Sequence, residues 1–118
     1  MEAPDEIRLS KDRRTLTVAW GAEGHAIAAE LLRVESPSAE VQGHDPSQKT
    51  LVAAKREVEI IGIEPVGNYA VRLRFDDLHS TGIYSWDLLR RMGREGDAMM
   101  AAYDRAIREA GRSRERGG

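Results

Sequence analysis

The residues of this chain best suited to chemistry are its histidines and the carboxylates beside them. His44 is followed by Asp45, and His79 closes the run Asp76-Asp77-Leu78-His79. Imidazole changes charge near neutral pH and is a common metal ligand, so a histidine among carboxylates can act as an acid/base pair or help hold a divalent cation. Such a site, made from His44, His79 and Asp76 or Asp77, requires the loop around residue 44 to fold over the turn at 76–79. The plainer reading gives both histidines ordinary loop hydrogen bonds. His25 has no partner in sequence. Ser36 and Ser38 lack the G-x-S-x-G elbow of an activated nucleophile, and on either side of Pro37 they read as turn formers. Gly62, Gly67 and Gly82 lack the spacing of a phosphate-cradling loop. The chain has no cysteine, which excludes thiolate catalysis, disulfides and Cys-ligated clusters.

The elements that must position these residues centre on Val58 to Trp86, VEIIGIEPVGNYAVRLRFDDLHSTGIYSW. Tyr69, Val71, Leu73 and Phe75 alternate with polar residues, the pattern of a half-buried strand. Its partner over Val58–Glu64 has apolar residues on both faces, so a central, doubly covered strand is expected. Parity then sets Ile63 opposite Val71 and Ile61 opposite Leu73, with a Val66-Gly67-Asn68 loop and Asn68 left-handed. Glu59 falls opposite Phe75, where a bulge would relieve the mismatch. In the second turn Leu78 stands where glycine would supply positive φ, so either the turn type differs or Leu78 is strained. Ile83-Tyr84 reads as a short strand and Ser85 as the N-cap of a helix from Trp86.

Upstream, Ile7/Leu9 and Leu16/Val18/Trp20 form two period-2 runs joined by SKDRR, a hairpin with one buried face. Gly21–Gly24 is a turn signal, and HAIAAELLRVES suggests a strand-like entry followed by one or two helical turns. From Ser36 to Lys55 no period is sustained. A loop this long in a compact domain is usually functional or disordered, with Leu51-Val52-Ala53 as a short strand within it. Downstream, Gly93 and Gly96 weaken the helix, and Asp97 caps a second segment with Met99, Met100, Tyr103, Ile107 and Ala110 on one stripe. That stripe reads as core, or as an adaptable partner groove. The expected architecture is α+β: one antiparallel sheet of about five or six strands, with helical segments packed on it. One domain spans 1–110, and the charged, Gly-rich stretch 111–118 is a disordered tail.

Composition narrows the function classes. At 118 residues the chain is one domain, large enough to bury a core. A net charge of −2 and the few aromatic residues, 5% of the chain, supply neither an electrostatic nor a stacking platform for nucleic acid. The few aromatics are expected to be core anchors. No signal peptide is expected from MEAPDEIRLS, and no run reaches membrane-spanning length, so the expected location is cytoplasmic.

LLRVESPSAEVQGHD, VEIIGIEPVGNYAVRLRFDD and HSTGIYSWDLL, in this order over residues 4 to 93, together resemble the γ-butyrobetaine hydroxylase-like N-terminal domain family, and within it the stand-alone bacterial branch. The resemblance implies a small α+β domain that also occurs fused to 2-oxoglutarate, iron-dependent hydroxylases and to Mrp-type P-loop ATPases carrying iron–sulfur clusters. It further implies a structural zinc held by a C-x-C-x-x-C run and a later histidine. Those positions here are Ser36, Ser38, Val41 and His79, and two hydroxyls and a valine do not replace three thiolates. The oxygenase catalytic domain, with its iron triad, is absent. The expectation is therefore a non-catalytic binding or adaptor module with no cofactor, a monomer or weak homodimer. Its partner-binding candidates are Ser36, Glu40, Gln42, His44, Asp77 and His79. Its partner would be a protein, rather than nucleic acid or membrane, connected with iron–sulfur or oxygenase proteins. The alternative is a metal-binding protein or metal-dependent enzyme using His44, His79 and Asp76 or Asp77.

Overall fold

A computed structural model describes residues 2–115. The order is β1 (Glu6–Leu9), β2 (Thr15–Trp20), β3 (Glu23–Ala28), α1 (Ala29–Val34), α2 (Ala39–Gln42), a 3-10 turn (Pro46–Gln48), β4 (Ile60–Val66), β5 (Ala70–Phe75), β6 (Ile83–Ser85) and α3 (Trp86–Glu109). The class is α+β. The six strands form two three-stranded antiparallel sheets, β1-β2-β3 and β4-β5-β6, where a single sheet was expected. The break follows from α1, which leaves the first sheet directly at Ala29, so that the chain starts a second sheet only at Ile60.

The period-2 runs behave as their pattern requires. Leu16, Val18 and Trp20 of β2 and Val71, Leu73 and Phe75 of β5 all point into one core. Leu31 and Leu32 of α1, Tyr84 of β6, and Trp86, Leu89 and Met92 of α3 complete it. A smaller cluster, Val34, Tyr103 and Ile107, packs against Leu51, Val52 and Ala53. Residues 51–53 therefore contribute side chains to a core without forming the expected strand.

β4 is an edge strand, not a central one. Pro65 lies on it, and proline, which cannot donate to a ladder, is confined to edges. The register also differs: Ile63 pairs with Leu73 and Pro65 with Val71. Val66 pairs with Ala70 and so extends the strand, which moves the three-residue loop to Gly67-Asn68-Tyr69. Gly67, with φ 53°, takes the left-handed position expected of Asn68. Tyr69 leaves the strand and is 57% exposed, the exception among the expected aromatic anchors. The bulge is real: the register shifts between Ile60 and Gly62, which returns Ile60 to the buried face opposite Phe75.

Ser85 caps α3, its hydroxyl accepting from the Leu88 N–H at 3.2 Å. The helix then runs unbroken through Gly93 and Gly96, where two segments capped by Asp97 were expected. Of its stripe, Tyr103 and Ile107 are buried, while Ala110 lies beyond the helix and is exposed. The reason for Gly93 is tertiary. A Cβ there would stand 2.5 Å from His25 Cγ and 2.6 Å from its Cβ, so β3 could not approach α3. At Gly96 the nearest atom is Leu31 Cδ2 at 3.8 Å, an ordinary contact. Gly96→Ala is therefore expected to stabilise the fold by up to about 1 kcal/mol through helix propensity. Gly93→Ala is expected to destabilise it by about 1–2 kcal/mol, because overpacking of about 1–3 kcal/mol outweighs the same propensity gain. Urea denaturation of the two variants checks the opposite signs.

The β3–α3 contact is reinforced at Glu23, whose carboxylate accepts from Arg94, Arg90 and His25. These bonds, led by that from Arg94, hold its pKa well below the usual carboxylate range. Arg90 also lies 5.0 Å over the Trp20 ring.

The expected disordered tail does not describe residues 111–115. The Ala54 N–H donates to the Ser113 carbonyl at 2.9 Å, and the Arg56 N–H to the Arg114 carbonyl at 3.0 Å. Arg112 bonds the Leu51 carbonyl at 2.6 Å, and Arg114 forks onto Glu30. Charged residues that read as solvated are here a strap with specific partners. Residues 116–118 of the expected tail lie outside the described residues.

Candidate functional site: a buried Ser-Ser-His cluster and its turn

Two connections meet beside the core, the segment from the end of α1 through α2 and the turn from β5 towards β6. α1 ends at Val34, and Ser36 and Ser38, on either side of Pro37, are both buried. From the other side β5 ends at Phe75 and turns through Asp76-Asp77-Leu78. The Leu78 N–H donates to the Phe75 carbonyl at 3.1 Å, and the Phe75 N–H to the His79 carbonyl at 2.9 Å. This closure delivers His79, only 7% exposed, to the serines.

His79 Nε2 lies 2.9 Å from Ser36 Oγ and 3.4 Å from Ser38 Oγ, and the two hydroxyls are 3.2 Å apart. On the other side of the ring, Nδ1 is 3.3 Å from Glu40 Oε2. Thr81 donates to the second Glu40 oxygen at 3.3 Å, and the Gln42 amide donates to the Ser36 carbonyl at 2.9 Å. Asp77 is clamped by Arg33 Nε and Lys55 Nζ, each at 2.7 Å, and accepts the His79 N–H. Of the sequence-derived candidates, Ser36, Glu40, Gln42, Asp77 and His79 are thus one connected group. His44 stands apart: it is exposed, and its backbone N–H donates to the Gln48 side chain. Asp76 is exposed and accepts the Glu59 N–H at 3.1 Å.

The electrostatics follow from burial. Burial first, and the Arg33 charge second, lower the His79 pKa, against the opposing pull of Glu40 and Asp77. The ring is therefore neutral at pH 7. For Asp77, desolvation pushes the carboxyl up, but the bonds from Lys55 and Arg33 outweigh it and hold the pKa down at about 2. Both folded pKa values lie below the unfolded ones, so both groups stabilise the fold above their unfolded pKa and lose that contribution as pH falls. The His79 contribution is complete above about pH 6.5 and fades below it; that of Asp77 fades from about pH 4 towards pH 2. The urea midpoint is expected to fall between pH 7 and 5, with a His79 slope of at most about 1.4 kcal/mol per pH unit. His79→Asn is expected to flatten that slope and leave the second acid step in place; an unchanged slope would assign the first step elsewhere.

Chemically, Ser36–His79–Glu40 has the order of a hydroxyl, a base and an orienting carboxylate. Yet Ser36 is fully buried, and a Cβ at Gly82 would stand 2.5 Å from its Oγ. No substrate carbonyl fits there, and the three groups satisfy one another instead. Nor do the residues fit zinc. The hydroxyls are neutral, Val41 has no donor atom, and among the described residues no group of three or more His, Cys, Asp or Glu is placed to hold a metal ion. The metal constellation of His44, His79 and Asp76 or Asp77 is not assembled. His79 is spent on the serines and Glu40, and His44 bonds within its own loop.

Two features escaped the sequence reading. One is the Arg33–Asp77–Lys55 clamp, whose members are single charges with no local pattern. The other is the exposure of Leu78, at 87%; its positive φ of 73° is the strained alternative that the sequence offered for this turn. Its signal was present, since leucine replaces the expected glycine.

The fold and the site define a small α+β domain whose two connections are pinned by a neutral buried histidine. A model of the family described as gamma-butyrobetaine hydroxylase-like, N-terminal, matches residues 7–90, and the chain belongs to this family. Two solution structures are similar to it. One is 41% identical with a TM-score of 0.87, covering 100% of this chain and 94% of its own. The other is 39% identical with a TM-score of 0.83, covering 98% and 87%. A crystal structure of a protein with unknown function from Acidithiobacillus ferrooxidans, assigned to the DUF971 family, is 37% identical with a TM-score of 0.63, covering 76% and 91%. No curated protein is similar enough to match. Among the described residues no helix is long and apolar enough to cross a membrane.

Proposed function

We propose that this domain is a non-catalytic, cytoplasmic protein-binding module whose contact surface is the 36–42 segment together with the Asp76–His79 turn. The observation that carries this reading is Leu78. A left-handed conformation costs a bulky residue about 1 kcal/mol or more, and such strain persists where the surroundings over-determine it, commonly at ligand clamps and recognition sites. Here the bonds of His79, Asp77 and Phe75 fix the turn while the leucine side chain packs on almost nothing. A rigid turn that presents one aliphatic side chain at low entropy cost is a pre-organised anchor. The fusions implied by the family resemblance direct attention to partners that handle iron–sulfur clusters or belong with 2-oxoglutarate oxygenases.

The test is a photo-crosslinking residue placed at Leu78 in cells, with Glu95 on the exposed face of α3 as the control position. A discrete protein adduct specific to position 78 is expected. Leu78→Gly should remove that partnership while raising stability by up to about 1 kcal/mol as the strain is released. Equal crosslinking at both positions, or an undiminished partnership in Leu78→Gly, would refute the reading.

A further inference from the structure

Each of the two sheets has two edge strands, β1 and β3 in one and β4 and β6 in the other. Three of these edges carry features that oppose pairing with a further strand. β1 is 4 residues long, and Arg8 and Glu6 pair along it at 3.5 Å. β4 holds Pro65 and the bulge after Ile60, and β6 is only 3 residues long. β3 has none of these. It runs for 6 residues, pairs with β2 without a shift in register, and contains neither proline nor lysine. Its one carboxylate, Glu23, is held by Arg90 and Arg94.

The ladder fixes the direction of the β3 backbone groups. The Thr15 and Ala19 carbonyls accept from the N–H groups of Ser10 and Asp5, so the odd residues of β2 point to β1 and the even ones to β3. Leu16, Val18 and Trp20 stand opposite Ile27, His25 and Glu23. The N–H and C=O groups of Gly24 and Ala26, and the Ala28 N–H, are therefore directed away from the sheet. All three residues are exposed. No backbone group among the described residues bonds the outward groups of Gly24 and Ala26. Donors and acceptors repeated at alternate residues match one kind of ligand, another extended backbone.

A shelf for the side chains of that backbone lies beside the edge. Ala26 and Ala28 form one wall of a groove of about 180 Å3, and Gly93, Gly96, Asp97 and Met100 of α3 form the other. Sites for small molecules start at about 300 Å3, so this groove suits a single side chain. Its floor at Gly96 is open, since a Cβ there would meet nothing closer than 3.8 Å. Of the two charges in the lining, Arg94 is held by Glu23 at 2.7 and 2.9 Å. Asp97 has no ion pair among the described residues, so the uncompensated charge is negative. A second copy of the chain does not fit this edge. α3 lies against β3 more than against any other strand. Pairing through β3 would bring a second α3 to the same face at about the strand spacing of 4.8 Å, whereas packed helices stand about 8–10 Å apart.

We propose that the β3 edge receives one extended segment of a partner protein, added as a fourth strand beside Gly24–Ala28. The segment places an aliphatic side chain in the groove over Gly96 and a lysine or arginine at Asp97. The surface shares no residue with the turn at Leu78, so the two proposals stand or fall separately.

The test is an NMR titration of the full chain with two end-blocked peptides, KVTVTVTK and its acidic counterpart EVTVTVTE. Saturable shifts are expected at Gly24, Ala26, Ala28, Gly96 and Asp97, with a dissociation constant below about 1 mM for the lysine peptide. The glutamate peptide should bind about threefold more weakly, the scale of one exposed ion pair, and Asp97→Asn should remove that difference. Ala26→Pro deletes an outward N–H that takes no part in the β2 ladder, and it should weaken both peptides about tenfold while the spectrum keeps its dispersion. Methylating alternate amides of the peptide tests the added ladder without altering the protein. One alternate set should abolish binding and the other should preserve it. The proposal is overturned by shifts that do not saturate by about 5 mM, or by both methylated sets behaving alike. Unchanged binding in a folded Ala26→Pro, or equal affinity for the glutamate peptide, overturns it as well. Concentration-dependent shifts at residues 24–28 without peptide would assign the edge to a second copy of the chain and would also overturn it.

Discussion

Arg114→Ala is expected to destabilise the fold by about 2–3 kcal/mol, although the residue lies in a segment whose composition reads as disordered. Arg114 Nε and Nη2 donate to the two oxygens of Glu30 at 2.8 and 2.7 Å, a planar fork onto a carboxylate. Glu30 is 5% exposed and sits on α1, directly after the first sheet. Removing the guanidinium leaves a buried charge without its partner, and that penalty exceeds what the intact pair contributes over an apolar substitute. The substitution also loosens the strap, whose backbone holds residues 54 and 56 by two hydrogen bonds. The effect should appear as a drop in melting temperature of roughly 6–15 °C for a chain of this size. Glu30→Gln in the Arg114→Ala background should recover part of the loss, because a neutral amide tolerates burial better than an unpaired carboxylate. A change within about 0.5 kcal/mol, the range of an ordinary surface substitution, would mean that the strap is not anchored in solution.

Legibility in the sequence divides along the range of the interaction. Leu16-Val18-Trp20 and Val71-Leu73-Phe75 carry their burial in a period of two, and Ser85 carries its cap in the residues immediately after it, so these elements are readable locally. The continuity of α3 is not. Gly93 weakens a helix by propensity, and only the packing of His25 across it shows that the glycine is there for close approach. Register failed for a related reason. Parity was respected, but Val66 extends β4 and the bulge after Ile60 resets the far end, both decided by the loop and the sheet together. The strap failed because Arg114 finds Glu30 at a separation of 84 residues, which no composition rule can see.

The candidate site divides in the same way. Reading residues alone offered a site joining His44 and His79 as the alternative to ordinary loop hydrogen bonds, and the structure does not join them. The family resemblance placed Ser36, Ser38 and His79 together, and they are in hydrogen-bond contact. Arg33 and Lys55 went unassigned because each is one charge whose partner, Asp77, lies on a different connection, and Glu40 was a partner-binding candidate without its contact to His79 being foreseen. Polar clusters of this kind are specified by which connections meet, and that depends on where the sheet divides.

A triple variant, Ser36→Cys, Ser38→Cys and Val41→Cys, is expected to bind one zinc ion per chain with a dissociation constant tighter than about 1 μM. Ser36 Oγ, Ser38 Oγ and His79 Nε2 already enclose a common point, with separations of 2.9, 3.2 and 3.4 Å. Tetrahedral ligands about 2.0–2.3 Å from zinc stand roughly 3.5–3.8 Å from one another, so the three separations must open by only about 0.1–0.9 Å. The longer C–S bonds of cysteine act in that direction. Val41, buried but outside both apolar clusters, lies in the short helix that follows Ser38 and is the fourth position of the implied ligand set. The electrostatics also suit the change. His79 is held neutral, the protonation state a ligand needs, and thiolates are deprotonated by the metal itself. Cobalt substitution should give the absorption of a tetrahedral thiolate site, and zinc should raise the melting temperature because it binds only the folded ligand set. His79→Ala in the triple variant should weaken the metal at least about tenfold. A folded triple variant that takes up no metal would show that Val41 does not face the serines. The meeting of the two connections would then be a hydrogen-bonded seam with its own geometry, unrelated to the four-ligand arrangement implied by the family resemblance.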